Sequence, residues 1–256
     1  MATRVSDAGA AAVTQRRAQT ALTRSLVRDM RGLRRIIIPS RLQATVPTWI
    51  SAVGALVDRY GAASSALSAD YYEAARTAAR VTGAFTVPLA EPPTDEQVES
   101  SLRWATKDLW PRDPDDPDTT EAQQQPMDVR LEQAEKKAEG VTQKLVVDQG
   151  RDTVQEAVRR DRQATAWARS AALGACSFCK VLAIRGAVYK QDTVDFPAHD
   201  NCHCGVVPVF SGQRFELSDH AREWERLYRE FAAPHSGDQL RRFRLALAEH
   251  GHLPAL

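Results

Sequence analysis

The first hundred residues carry apolar positions at helical spacing. Alanine-rich, charge-studded sequence over 7–33 contains no proline and predicts a first helix. A second helix is predicted to begin at Pro47, because proline favours the first turn of a helix. Its apolar residues lie on one helical face: Trp49, Ile50, Val53, Leu56, Val57 and Tyr60. Helical spacing continues to Val81, and Thr94 with Gln97 forms a capping-box signature that predicts a third helix.

The stretch 111–126 interrupts this pattern. It holds four prolines with acidic residues between them: Pro111, Asp113, Pro114, Asp115, Asp116, Pro117, Asp118, Glu121 and Pro126. Such a segment cannot bury enough apolar surface to order itself, so the sequence predicts an exposed linker. The acidic run also raises the hypotheses of a calcium site and of a DNA mimic, but a solvated linker is the simpler interpretation.

Helical spacing returns from Met127 to about Ala172. One face of the first part is apolar: Leu131, Ala134, Ala138, Val141 and Leu145. Gly150 is predicted to separate this helix from a second one over 152–171. The second helix carries several arginines: Arg159, Arg160, Arg162 and Arg169. Acidic residues at 152, 156 and 161 accompany them, so an ordinary solvated face is predicted there rather than a phosphate-binding surface.

The pattern changes again after residue 179. Gly186 is a turn residue followed by a β-prone stretch that ends at Tyr189. A second β-prone stretch covers 206–210, and Pro208 within it predicts an edge strand. Two short strands that bracket a loop indicate a small treble-like or ribbon-like module. The tail over 218–250 returns to helical spacing.

Composition places the chain among ordinary globular proteins. Of its 256 residues, 43% are hydrophobic and 26% are charged, and 34 basic residues nearly balance 33 acidic ones. A near-neutral chain argues against a protein that coats nucleic acid non-specifically. No apolar run is long enough to span a membrane, so no membrane partner is expected. The start of the chain, Met1-Ala2-Thr3-Arg4, lacks an apolar signal core, and we expect it to stay in a reducing cytoplasm with free thiols.

All four cysteines fall within one short stretch. Together with one histidine they read C-x2-C-x19-H-x2-C-x-C: Cys176, Cys179, His199, Cys202 and Cys204. Two close thiol pairs beside a histidine provide the ligands of a tetrahedral zinc site. The sequence therefore predicts Zn, in preference to a disulfide pair or unliganded thiols.

Five groups compete for the four positions of such a site. Two sets fit: Cys176, Cys179, His199 and Cys204, or all four cysteines with His199 hydrogen-bonded outside them. His203 is a weaker, sixth candidate. Four or five protein ligands close the coordination shell, which predicts a structural rather than a catalytic ion.

No H-E-x-x-H is present, and Asn201 stands where a nucleobase deaminase motif needs Glu. A thiol nucleophile, Cys176 or Cys179 paired with His199, is a further but poorer interpretation, because crowded thiols compete for metal.

These patterns predict a mainly α fold with helical N-terminal and central regions and a small zinc-stapled α+β module near the C-terminus. We predict a helical domain over 1–110, an acidic, proline-rich linker over 111–126, and a second domain over 127–256. Within the second domain the zinc module occupies about 173–210 and is followed by C-terminal helices.

The second domain resembles a known family. The resemblance rests on Asp161-Arg-Gln-Ala-Thr-Ala-Trp167, Cys176-Ser-Phe-Cys179, Arg185-Gly-Ala-Val-Tyr189 and Phe196-Pro-Ala-His199-Asp-Asn-Cys202-His-Cys204. These stretches, within about 161–210, are similar to the C-terminal signature of phage Mu F-like minor head proteins, in the version carried by phages and prophages of actinobacteria. Cys179, His199, Cys202 and Cys204 match the positions of the wider family, and Cys176 resembles an actinobacterial addition. Asp200 and His203 depart from the family, which has Pro and Arg there.

The resemblance implies a low-copy virion protein that acts in head assembly. Its expected partners are the phage portal and the major capsid protein, with contact to packaged DNA, and its expected location is the capsid interior or portal vertex, after assembly in the host cytoplasm. Some relatives carry the label of capsid maturation protease, but no Ser/His pair suited to that chemistry is visible, so we expect no enzyme. Two alternatives stay open: a metal-dependent hydrolase with Asp195 or Asp200 beside the ion, and a nucleic-acid-binding zinc module in which the arginines of 151–169 form one basic stripe.

Overall fold

The structure of the protein, a computed structural model, describes residues 3–110, 112, 115–189, 198–202 and 204–252. The helices in these residues are α1 (Ala10–Leu33), α2 (Leu42–Ala78), α3 (Asp95–Thr106), α4 (Met127–Arg160), α5 (Ser177–Ala183), α6 (Asp219–Phe231) and α7 (Gln239–Glu249). The strands are β1 (Thr3–Ser6), β2 (Ala164–Ser170), β3 (Gly205–Phe210) and β4 (Gln213–Glu216). The predicted fold class, mainly α with a small sheet near the C-terminus, is confirmed.

Helices α1, α2 and α3 pack with the first part of α4 around an apolar core. Fully buried side chains from each helix meet there, among them Leu26, Val53, Leu102 and Val146. We call this assembly, from α1 to residue 146 of α4, the helical body. The capping box is present in part, because the Thr94 hydroxyl accepts a hydrogen bond from the Gln97 amide at 3.2 Å and fixes the start of α3.

The start of the second helix was predicted five residues too late. Helix α2 begins at Leu42, directly after a 3-10 turn over Pro39–Arg41, and Pro47 lies inside it. Leu42 and Val46 are buried in the core of the helical body, so their packing favours extending the helix ahead of the proline. The proline removes one backbone hydrogen bond near the helix start, which that packing offsets.

The prediction for 150–171 was wrong in two ways. Helix α4 runs through Gly150 without a break. The glycine serves packing instead: it lets α2 approach closely, since a Cβ atom there would lie 2.4 Å from the Ser64 hydroxyl oxygen. The helix ends at Arg160, and residues 164–170, predicted as helix, form strand β2. Strand β2 pairs antiparallel with β3, with Trp167 opposite Pro208, so tertiary pairing overrides the helical spacing of this alanine-rich stretch.

The sheets are small. Strand β3 has β2 on one side, which agrees with the edge position predicted from Pro208 in this two-stranded sheet, and Tyr189 bridges to Trp167 on the outer side of β2. Strands β1 and β4 form a separate parallel pair that joins the start of the described chain to the segment just before α6. Nearby, the buried Asp7 carboxylate accepts hydrogen bonds from the amide and hydroxyl of Ser218, at the start of α6.

A second core lies beside the helical body. It combines the end of α2 and the end of α4 with β2, α5, β3 and the predicted C-terminal helices α6 and α7, whose Trp224, Leu227, Phe243 and Leu247 are fully buried. We call β2, α5, β3 and the loop 198–204 the cysteine module. Its three buried cysteines belong to this core.

The division at 111–126 stays a prediction. Within the described part of this segment, Glu121–Gln124 forms a short 3-10 turn with a complete capping box between Thr120 and Gln123. Helix α4, which follows the segment, packs extensively on α2 and α3, which precede it.

Candidate metal centre

The first thiol pair lies at the start of α5. Cys176 caps this helix, and its Sγ atom accepts a hydrogen bond from the Cys179 amide at 3.4 Å. The turn that begins the helix therefore points both sulfurs to the same side. Backbone amides of this kind stabilise thiolates in zinc knuckles.

The second thiol pair lies on a loop that α4 holds in place. Gly140 leaves room for this loop, since a Cβ atom there would lie 3.2 Å from Cβ of Asp200. Gln143 donates a hydrogen bond to the Asn201 side chain at 3.1 Å, and Asn201 adopts a left-handed backbone with φ of 60°. The buried Arg151 guanidinium donates to the Cys204 carbonyl at 2.9 Å and to the Cys202 carbonyl.

The structure brings all five predicted ligands together. They form two groups that share one residue, Cys176–Cys179–His199 and Cys179–Cys202–Cys204, and the ligand atoms within each group lie within 4.8 Å of one another. The Sγ atoms of Cys179 and Cys202 are 3.5 Å apart. Sulfurs bound at about 2.3 Å to a tetrahedral zinc are about 3.8 Å apart, so this spacing fits a metal ion. Which four of the five bind stays a prediction.

The cluster has a buried side and an open side. Cys179, Cys202 and Cys204 are buried, Cys176 is half-buried and His199 is exposed. The Nε2 atom of His199 lies 2.8 Å from Sγ of Cys176, and its Nδ1 atom lies 2.7 Å from the Asp200 carbonyl oxygen. A carbonyl can only accept, so Nδ1 carries a proton, and Nε2 is the ring nitrogen that faces the sulfurs. The hydrogen bond to the Asp200 carbonyl and the contact with Cys176 raise the pKa of His199. A metal-binding histidine has the same ring orientation once Nε2 has lost its proton.

The crowded thiols divide their protons unequally. Contacts with Cys176 and Cys202 raise the pKa of Cys179, whereas contact with Cys179 lowers the pKa of Cys176 to about 5. Cys202 also contacts Cys179, and this contact lowers the pKa of Cys202. A divalent cation shared by the sulfurs would remove this competition, because metal binding displaces the thiol protons.

Two buried cations beside the cluster were missed in the sequence. Arg169, predicted to be part of a solvated helix face, is fully buried in β2, and its Nη1 atom donates to Sγ of Cys179 at 3.5 Å. Lys180 is also fully buried; burial lowers its pKa, and Cys176 and Cys204 oppose that shift. Buried cations need opposite charge, so their presence favours thiolate sulfurs. The only sequence feature that could have indicated them is their closeness to Cys179: Lys180 is the next residue, and Arg169 lies ten residues before it.

The other residues named for this site take different places. His203 and Asp195 lie outside the described residues. Asp200 contributes its backbone carbonyl to His199 and packs its side chain near Gly140. The arginines of 151–169 do not form one basic stripe, because Arg151 and Arg169 are buried, and Arg159 and Arg160 both pair with Glu156.

Within the described ranges, none of the helices combines the length and apolar character needed to cross a bilayer. Comparison with curated proteins gave no match, and neither did comparison with solved structures. A family model described as "VG15 protein" matches residues 6–231. The match covers the helical body, the cysteine module and α6, well beyond the 161–210 stretch that carries the cysteine motif. The chain therefore belongs to the VG15 protein family, a phage-associated family, and contains a cysteine–histidine cluster able to hold a metal ion.

Proposed function

We propose that the protein is a non-enzymatic head-morphogenesis protein of a tailed phage or prophage. In this proposal it is a minor capsid protein of the Mu F-like type that docks on the portal or the major capsid protein. Membership of a phage-associated family supports this, as does the resemblance of the cysteine motif. The observation that carries it is the convergence of five ligand atoms where two chain segments meet, beside helices that form a separate apolar body.

We propose zinc as the metal. Thiolate and imidazole ligands in a four-coordinate arrangement suit zinc, and the cluster offers only these two kinds. Bound there, the ion would link the start of α5 to the loop 198–204 and supply on the order of 10 kcal/mol of folding free energy. Arg169 would hold the Cys179 sulfur, and Arg151 would hold the backbone of Cys202 and Cys204.

The burial of the ligands supports a structural role. A catalytic zinc keeps one position for water and a carboxylate beside it. Here three of the thiols are buried, and the exposed side of the cluster is filled by Cys176 and His199, whose ligand atoms touch at 2.8 Å. Protein ligands thus surround the position at which the ion would sit.

An exposed aromatic residue supports docking on a protein partner. Trp104 on α3 is 47% exposed and lies between two lysines, with the Lys107 and Lys137 ammonium groups 5.8 and 5.9 Å from its ring centre. Tryptophan is enriched in protein interfaces, where its large ring buries much area at little entropic cost.

The test is to locate the chain in purified particles of the phage or prophage that encodes it. We expect mass spectrometry to find it as a low-copy component of particles or of their precursors, with zinc in a fixed ratio to the chain after purification. Its absence from both particles and precursors would contradict the head role. Incubation with capsid precursors tests the maturation-protease alternative: cleavage by the wild-type chain that disappears in His199→Ala would overturn the non-enzymatic assignment.

A further inference from the structure

The N-terminal part of the chain is strongly basic, although the whole chain is nearly neutral. Between residues 4 and 41 there are nine arginines and two aspartates, with no lysine or glutamate, whereas the formal charge of the full chain is +1. Most of these arginines belong to α1 and the turn that follows it. The positive charge is therefore concentrated on one element.

Four of these arginines share one face of α1, and a fifth continues the row in the 3-10 turn Arg34–Ile36 that follows the helix. Residues 17, 24, 28 and 31 lie at i, i+7, i+11 and i+14, which keeps them within a narrow angular sector at 3.6 residues per turn, and Arg35 lies one turn further on. We call this set the arginine stripe: Arg17, Arg24, Arg28, Arg31 and Arg35. All five are exposed, and Leu26 and Met30 on the other side of α1 are buried in the helical body. The stripe is about 27 Å long.

Most of the stripe is not neutralised by the protein. Arg31 makes a bidentate pair with Glu139, and the carboxylate nearest to Arg28 is 3.9 Å away. Arg17, Arg24 and Arg35 make no ion pair with any residue that the structure describes. Several exposed arginines elsewhere are paired at helical spacing, as Arg226 is with two glutamates, whereas others among the described residues, such as Arg59 and Arg244, are single and belong to no such row. Unpaired guanidinium groups at regular spacing are suited to an external polyanion.

The residues between the arginines identify the kind of polyanion. The same face carries Val13, which is half-buried at one end of the stripe, and Thr14, Ala21 and Gly32. Between the arginines it lacks the aromatic and large aliphatic anchors that form the centre of a protein interface. It equally lacks the aromatic platforms on which single-stranded nucleic acid stacks its bases. What remains is a straight row of phosphate-binding groups, long enough to reach several successive phosphates of one strand.

We infer that the arginine stripe of α1 binds the phosphate backbone of double-stranded DNA, without base specificity. This surface is separate from the metal centre and from the 151–169 segment. The inference does not depend on the head role or on the identity of the metal.

The test uses the full chain and a fluorescent DNA duplex of about 25 base pairs, with anisotropy measured over a range of salt concentrations. The variant is Arg17→Gln/Arg24→Gln/Arg35→Gln, which removes three exposed, unpaired cations. If each stripe arginine other than Arg31 contacts one phosphate, four contacts give a slope of log K against log salt of about −3.6. The variant retains only the Arg28 contact, so its slope should fall to about −0.9. We expect its affinity to be at least about tenfold weaker at low salt.

The matched control removes the same formal charge from paired arginines: Arg103→Gln/Arg226→Gln/Arg229→Gln. It should bind the duplex within about twofold of the wild type, since the carboxylate partners already neutralise these positions. Thermal melts of both variants should match the wild type, because all six side chains are exposed.

Three outcomes would overturn the inference. The first is an equal loss of affinity in the control, which would mean that net charge alone governs binding. The second is wild-type binding that does not depend on salt or on the stripe. The third is equally strong competition by polyglutamate at the same charge concentration, which would indicate an acidic protein surface as the partner.

Discussion

The helical body and the cysteine module are stabilised in different ways. In the helical body, four helices bury aliphatic side chains such as Leu26, Val53 and Leu102 completely, and each contributes part of the apolar area. In the cysteine module, short strands and a two-turn helix surround a cluster of thiols and buried cations. The core of the body is stabilised by apolar contacts, whereas the module adds a cluster of thiols and buried cations to the apolar second core.

This difference predicts how each region responds to damage. Loss of one apolar contact leaves the rest of a helical core in place. Loss of one ligand from a metal site leaves thiols and cations buried without their proper partners, which costs more than the loss of one apolar contact. The largest effects of single changes should therefore come from the module.

The largest expected effect follows the removal of two sulfurs. Cys179→Ser/Cys204→Ser should lose the metal and destabilise the module together, by on the order of 10 kcal/mol if the ion is zinc. Metal content by plasma mass spectrometry and amide exchange of 164–210 measure the two losses. The α2 and α3 amides should stay protected. A variant that lost all metal and kept its thermal melt would contradict a structural ion.

The helices of the body could be predicted from the sequence, because their apolar spacing is local. The module was harder. All five candidate ligands were found from their spacing, but β2 was predicted as helix because Ala164, Ala166 and Ala168 suit a helix until β3, forty residues later, pairs with them. The parallel pairing of β1 with β4 joins residues more than two hundred positions apart, and no local pattern encodes it.

The buried cations show the same limit. Arg169 was assigned to a solvated face because its neighbours in the sequence are charged, and its burial follows from the strand that was missed. The arginine stripe of α1, in contrast, is visible in the spacing of the sequence itself. The spacing of residues along the sequence therefore predicts which side chains share a helix face, but it does not predict which distant strands pair.

A smaller effect should follow damage at the joint between the two regions. The buried Asp161 carboxylate binds Arg76 of α2 at 2.7 Å, the Tyr72 hydroxyl at 3.2 Å and the Gln163 amide at 3.0 Å, where α4 turns into β2. Asp161→Ala should cost about 3–5 kcal/mol, since it leaves the Arg76 charge without this partner in a buried site. Urea denaturation measures the change.

The matched control for this joint is Glu99→Ala, which breaks an exposed pair with Arg103 on α3. It should cost no more than about 0.5 kcal/mol. Equal costs for Asp161→Ala and Glu99→Ala would mean that the buried pair does not connect the regions.

The smallest of these effects, about 3 kcal/mol, is expected from Leu102→Ala, which opens a cavity in the core of the helical body. Leu102 is fully buried between α2 and α4, and the helices around it can relax only in part. The neighbouring exposed change Arg103→Ala is the control and should cost under about 0.5 kcal/mol. Amide exchange should increase in α2 and α3, while the metal content stays at the wild-type ratio. If amides of 164–210 lost protection to the same extent, the two regions would unfold as one cooperative unit, and the contrast between them would lie in their chemistry and not in their stability.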